Sequence, residues 1–189
     1  FDLQQLPIDF LVASGHKFHG PKGVGFAFIK KNTPITALLV GGEQEKGLRA
    51  GTEAVHQIAG IAKALELAYE GLESQRDTIF ELKKYTIEKL TAQFPSVKFN
   101  GGLETFYTIL NVQLPLAEDK TSIILFELDM KGIAVSRGSA CQSGSIKPSH
   151  VLVEFLSESE LKKPSLRLSF NQHNTKEEID YFVSCLAAM

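Results

Sequence analysis

Four stretches of the chain hold side chains that can do chemistry. In SGHKFHGPKG, Ser14 to Gly23, a hydroxyl, an imidazole and an amine stand at Ser14, His16 and Lys17. All three can reach an anion. Partial burial of Lys17 at a strand exit, among cationic neighbours, is expected to favour the neutral amine that Schiff-base chemistry needs. The competing reading is a basic surface turn punctuated by glycine. The glycine and lysine spacing is wrong for a P-loop.

The second stretch is GGEQEKGLRAGTEAV, Gly41 to Val55. It is rich in glycine and ends at an expected helix start, with Thr52 as N-cap. Free N–H groups and the helix dipole favour an anion there. A flexible loop before a capped helix explains the same residues. The third, SRGSACQSGSIKP, runs from Ser136 to Pro148 and carries Cys141. A thiol on a glycine- and serine-rich segment is expected to be exposed and able to move. Arg137 and Lys147 flank it and favour the thiolate. Against that stands a free surface cysteine of no consequence. The fourth is Arg167 in LRLSF, whose guanidinium can fork onto a carboxylate or simply face water.

These residues need elements to hold them. PIDFLVAS, residues 7–14, reads as a buried strand ending at Gly15. GVGFAFIKK, residues 23–31, reads as a second strand, stopped by Asn32, Thr33 and Pro34. Residues 53–72 show helical spacing through Val55, Ile58, Ile61, Ala62, Leu65 and Ala68. A second amphipathic run, residues 73–94, ends at Pro95; its lysines and glutamates up to Lys89 read as a solvated face. VKFNG and YTILNVQLP read as strands, DKTSIILFELDMKG as a helix stopped by Gly132, and IAVSRG as a strand entering the cysteine segment. In SLRLSF the alternation puts Leu166, Leu168 and Phe170 on one side and Arg167 and Ser169 on the other. Thr175 and Glu178 form a capping box for a last helix with Ile179, Phe182, Val183 and Leu186 as its apolar stripe. Cys185 reads as a core cysteine, and His56 as packing or capping. His19 and His150 have no evident role.

The order suggests two units. Residues 1–72 hold two strands, a loop and a helix, with no means of closing a sheet alone. Residues 73–189 hold a complete α+β set.

Bulk properties exclude several classes. A net charge of −2 over 189 residues argues against a nucleic-acid platform or a polybasic membrane surface. No apolar run approaches the roughly 18–20 residues that span a bilayer. The five histidines and two cysteines are too scattered for a structural zinc site, and two cysteines make a disulfide framework unexpected. A reducing, cytoplasmic setting is expected. The first residues are no secretory signal. They open in mid-pattern without an initiator Met, as a piece of a longer protein would.

Taken in order, SGHKFHGPKGVGF, GGEQEKGLRAGTEAVHQIAG, SRGSACQSGS, and LRLSF followed by TKEEIDYFV resemble the C-terminal half of a cysteine desulfurase of the NifS/IscS-like group. That family belongs to the class V aminotransferase branch of fold-type I pyridoxal-phosphate enzymes. The resemblance covers essentially the whole chain. It implies an α/β fold: residues 1–72 as the C-terminal segment of the large pyridoxal-phosphate domain, and 73–189 as a small α+β C-terminal domain.

It also implies roles. Lys17 would carry the cofactor, pyridoxal 5′-phosphate, and shuttle the proton at the substrate α carbon. Ser14 and His16 would hold its phosphate. Thr52 would reach the phosphate of a neighbouring subunit's cofactor, which implies a homodimer. Cys141 would take the substrate sulfur as a persulfide, and Arg167 would bind the substrate carboxylate. L-cysteine would become L-alanine, with sulfur passed to an iron–sulfur scaffold or another acceptor.

The chain departs from the family where three consecutive glycines are usual and Gly41, Gly42 and Glu43 stand instead. It also lacks the family's long N-terminal part, including residues that contact the cofactor ring, so the isolated chain is expected to be inactive. Two other readings stay open: a selenocysteine lyase or cysteine sulfinate desulfinase, and, for the isolated chain, a non-catalytic interaction domain.

Overall fold

Apolar alternation and helical stripes fix most of the elements. The computed structural model describes residues 2–138 and 149–189. Cys141 and its flank Lys147 therefore lie outside the described residues. The chain divides into two compact units, Phe1–Leu72 and Glu73–Met189. Each is a mixture of helix and sheet.

In the first unit, β1 (Phe10–Ser14) pairs antiparallel with β2 (Gly25–Ile29), from Phe10 opposite Ile29 to Ser14 opposite Gly25. The β-branched and aromatic residues of both strands suit a pleated ribbon. The helix α1 (Val55–Glu70) follows a long loop. Of the large apolar residues described in this unit, Ile61 alone is buried, while Val12 is 82% exposed and Leu38 94%. The β1 strand expected to be buried thus keeps an open face.

The second unit has the core. The helix α2 (Leu72–Gln93) precedes β3 (Lys98–Asn100) and β4 (Ile109–Gln113), then α3 (Lys120–Asp129). Two short helices follow the cysteine segment, α4 (His150–Val153) and α5 (Glu158–Leu161), neither foreseen in the sequence. β5 (Ser165–Ser169) and α6 (Lys176–Ala187) complete it. The sheet is antiparallel throughout, in the order β3-β4-β5. Leu82 and Leu90 of α2, Leu110 and Val112 of β4, Ile124 and Leu128 of α3, Leu166 and Leu168 of β5, and the α6 stripe close on one another. A fully buried leucine contributes about 2 kcal/mol, so this cluster dominates the stability of the unit. Cys185 is buried within it, as its apolar neighbours predict.

Three local expectations differ. IAVSRG is not a strand: only Ser136 bridges, to Arg167, while Ile133, Ala134 and Val135 line a cavity of about 310 Å³ beside Phe170 and α6. A strand needs a partner along its length, and β5 gives this segment one residue. Second, the polar face of α2 is not wholly solvated. Lys83 is fully buried, and its Nζ donates to Leu103 O (3.1 Å), Thr105 O (3.1 Å), Thr105 Oγ1 (2.8 Å) and Phe106 O (3.3 Å). Third, His56 is exposed on α1 and neither packs nor caps.

Candidate active site

The strand β1 delivers Ser14 to a single 3-10 turn, Gly15–Phe18, which contains His16 and Lys17. The turn is held tightly from below. Gly15 N donates to Val24 O at 2.9 Å, and Gly20 N donates to Gly15 O at 2.9 Å. A Cβ on Gly15 would stand 3.1 Å from Ile61 Cδ1, Pro21 O and Val24 O, so a larger residue would push these neighbours back by a few tenths of an ångström. Gly60 of α1 serves the same contact, because a Cβ there would lie 2.7 Å from Pro21 Cγ. The floor is therefore the buried Gly15 and Ile61 with the half-buried Pro21, and the polar side chains Ser14, His16 and Lys17 are all exposed. The partial burial expected for Lys17 is absent, because a one-turn helix at the end of a hairpin projects its side chains outward.

An amine and an imidazole on the turn, with a hydroxyl at the end of β1, have the chemistry that an aldehyde carrying a phosphate would need. The amine suits the carbonyl carbon, and the other two suit the phosphate oxygens. Among the described residues no group of acidic, histidine and cysteine side chains could hold a metal ion. No described helix is long and apolar enough to cross a membrane.

Thr52 is exposed, but it is not an N-cap. The helix begins at Val55, its N-cap is Ala54, and no side chain caps it. An N-cap must directly precede the first turn, and Thr52 is too early by two residues. Its hydroxyl bonds to no described residue. The loop before it is built from left-handed backbone: Glu45 (φ 49°), Lys46 (φ 59°) and Gly47 (φ 77°) in succession, and Gly51 (φ 112°). Gln44 Oε1 accepts from Gly51 N at 3.2 Å and ties the loop to itself.

Arg167 belongs to the second unit. It lies opposite Asn111 in the β4–β5 register, between the buried Leu166 and Leu168, and is itself half-buried on the other face. The alternation of SLRLSF already indicates this placement. Its Nε is buried with no hydrogen-bond partner. Arg137 has the same property, and burial pulls its guanidinium below the ordinary arginine range. The sequence marks Arg137 only as a flank of the cysteine; nothing local signals its burial.

The aminotransferase class-V family profile matches residues 1–182. A cysteine desulfurase IscS of Clostridium botulinum is 41% identical over 186 residues, which are 98% of this chain and 47% of that protein. The one from Methanosarcina thermophila is 42% identical over 180 residues, 95% of this chain and 44% of its own length. The chain thus spans about half the length of the curated relatives it matches. Among solved structures, a NifS-like protein superposes with a TM-score of 0.85 at 33% identity, covering all of this chain and 48% of that one. A NifS-like protein from Rickettsia africae gives 0.80 at 28% identity, covering 96% of this chain and 47% of that one.

Proposed function

The chain belongs to the aminotransferase class-V family, and from that premise we propose that it is the C-terminal portion of a cysteine desulfurase. The whole protein would convert L-cysteine to L-alanine and hand on the sulfur. The observation that carries this reading is 41% identity over 98% of the chain to such an enzyme, in a chain that has an amine at Lys17, a thiol at Cys141 and a guanidinium at Arg167 to do the chemistry.

Pyridoxal 5′-phosphate, when bound, supplies an electron sink that weakens bonds around the substrate α carbon. Everything else falls to side chains. Lys17 would hold the cofactor through its amine and would move the proton at the α carbon. Ser14 and His16 donate to the phosphate. Thr52, exposed at the end of its loop, would reach the phosphate in a partner subunit, which would make the working form a homodimer. Arg167 takes the substrate carboxylate with its fork of N–H donors.

Cys141 attacks the substrate sulfur as a thiolate. A sulfur–sulfur bond forms while the Cβ–S bond breaks. The electron pair of that bond stays with carbon, which takes up a proton and becomes the methyl group of alanine. Atoms and electrons balance with no outside oxidant, and the product on the enzyme is a persulfide. An iron–sulfur scaffold or another thiol-bearing acceptor in the cytoplasm then receives the sulfur.

The test uses the full-length protein loaded with cofactor. Lys17→Ala should abolish both the visible band of the lysine-linked cofactor and cysteine turnover, by at least about a hundredfold. Cys141→Ser should keep the band and lose persulfide formation. If Cys141→Ser turns over L-cysteine at the parent rate, the sulfur-carrier role is wrong. Faster turnover of selenocysteine or cysteine sulfinate than of cysteine would move the assignment to those substrates.

A further inference from the structure

The sheet of the second unit has a polar row on the face away from its core. Asn100 of β3 stands opposite Asn111 of β4, and Asn111 stands opposite Arg167 of β5. All three are half-buried, while Leu110, Val112, Leu166 and Leu168 beside them turn the other way into the core.

Backbone bonding sets how closely the row is packed. Arg167 exchanges both of its backbone hydrogen bonds with Ser136: Arg167 N donates to Ser136 O at 2.6 Å, and Ser136 N to Arg167 O at 3.3 Å. Its N–H and C=O therefore point away from β4, which makes Arg167 and Asn111 a non-hydrogen-bonded pair. Leu114 N to Pro164 O and Phe170 N to Thr108 O, both 2.8 Å, fix the same phase at the two ends of the ladder. Such pairs have the shorter Cα separation, about 4.5 Å, and the closer side chains.

The Asn111 amide is spent on its other neighbour. Its Oδ1 accepts from Asn100 Nδ2 at 2.7 Å. The oxygen and nitrogen of an amide diverge from Cγ, so with Oδ1 turned toward β3, Nδ2 is the end left for β5. Arg167 thus meets a donor where an acceptor would capture it. Its Nε is a buried donor without a partner, and among the described residues no carboxylate pairs with its guanidinium. A buried N–H left in this state is costly, and the oxygen that would relieve it stands one strand away, turned aside.

We propose that Asn100 and Asn111 are positioning residues for Arg167: the hydrogen bond between them keeps the Asn111 oxygen off the guanidinium and leaves that fork open for a ligand. That the ligand is the substrate rests on the desulfurase reading above; that the amide pair keeps the arginine free does not. The arrangement predicts a switch two strands from the arginine. Asn100→Asp keeps the shape of the side chain and replaces its donor with an acceptor. Asn111 must then turn its amide over to donate Nδ2 toward β3, which brings Oδ1 to Arg167 Nε.

The experiment has two arms. In the first, the 189-residue chain is labelled with ¹⁵N and the Nε–H signal of Arg167 is followed. In Asn100→Asp it should move downfield, and its exchange with water should slow by at least about tenfold. A double variant, Asn100→Asp with Asn111→Leu, keeps the added charge and removes the amide. There the signal should return to the parent position. The backbone amide spectrum checks the fold of both variants. An unmoved Arg167 signal in Asn100→Asp, or a shift that survives in the double variant, overturns the proposal.

The second arm uses the full-length holoenzyme. Asn100→Asp should raise KM for L-cysteine about tenfold while kcat stays within about threefold, the signature of lost ground-state binding. Adding Asn111→Leu should bring KM back to within about threefold of the parent, whereas a merely structural defect would worsen. An unchanged KM beside a captured arginine would overturn the role in substrate binding. If the parent enzyme does not turn over cysteine, the desulfurase reading fails by itself, and the labelled chain still judges the amide pair.

Discussion

Among the described residues, Lys83 is a charged side chain with no exposed surface. It is fully buried, its ammonium has three N–H donors, and four oxygen acceptors from residues 103–106 lie within 3.3 Å. Burial lowers its pKa below the usual 10.5, opposed by the charge of Glu104. The acceptors replace the water the charge has lost, so the lysine acts as a clamp between α2 and the loop joining β3 to β4. Three of the four are backbone carbonyls in an irregular loop, where no strand partner can satisfy them. Lys83→Met keeps most of the length of the side chain and removes the donors. It should destabilise the chain by about 3 kcal/mol, read as a shift in the urea unfolding midpoint. A loss below about 0.5 kcal/mol would mean that the loop carbonyls find water instead.

At the scale of elements, the short helices are set by their first turns. Ser157 and Glu160 cap α5 reciprocally, as Thr175 and Glu178 cap α6. Thr175→Ala removes the acceptor for Glu178 N and should cost about 1 kcal/mol of stability, measured by thermal unfolding. Glu160 also reaches Lys98 on β3 at 2.7 Å. That ammonium, with the hydroxyl and N–H of Ser157, pulls its carboxyl from 4.5 to about 2. A carboxyl held low in the native state adds stability above its unfolded pKa and loses it as the native group protonates. The chain should therefore weaken as pH falls from 4.5 towards about 2, and Glu160→Gln should flatten the urea midpoint across that window.

The same elements show what a sequence can reveal. The capping box of α6 is legible because all its partners lie within four residues. So is the buried and exposed alternation of β5. Thr52 misleads because an N-cap depends on a start position that helical spacing fixes only to within a couple of residues. Lys83 is illegible because its acceptors are at least 20 residues away along the chain. IAVSRG has the composition of a strand, but pairing is a property of the partner too, and β5 meets this segment only at Ser136. In the site, the exposed turn of Ser14, His16 and Lys17 follows from a strand stopped by glycine. The condition of Arg137 depends on what covers its guanidinium, and no periodicity encodes that.

At the scale of the whole molecule, stability is divided unequally between the two units. Glu73–Met189 contains the apolar cluster and a three-stranded sheet. Phe1–Leu72 contains a two-stranded hairpin, one helix and Ile61 as its buried large apolar residue among those described. A hairpin alone is marginal in water, and Val12, Leu38 and Val40 are each more than four-fifths exposed. Local opening in the first unit should therefore need far less free energy than opening in the second. Amide hydrogen exchange on the 189-residue chain should show β1 and β2 exchanging at least about a hundredfold faster than β4 and α6. If β1 and β2 are as protected as β4, the first unit has stability that its own packing does not account for. The full-length protein gives the matching comparison. If these residues are part of a larger domain, its additional chain should cover the open face of the hairpin, and β1 and β2 should gain protection there. The turn that carries Lys17 follows β1 directly, so an increase in β1 protection would also measure how firmly the proposed cofactor lysine is held.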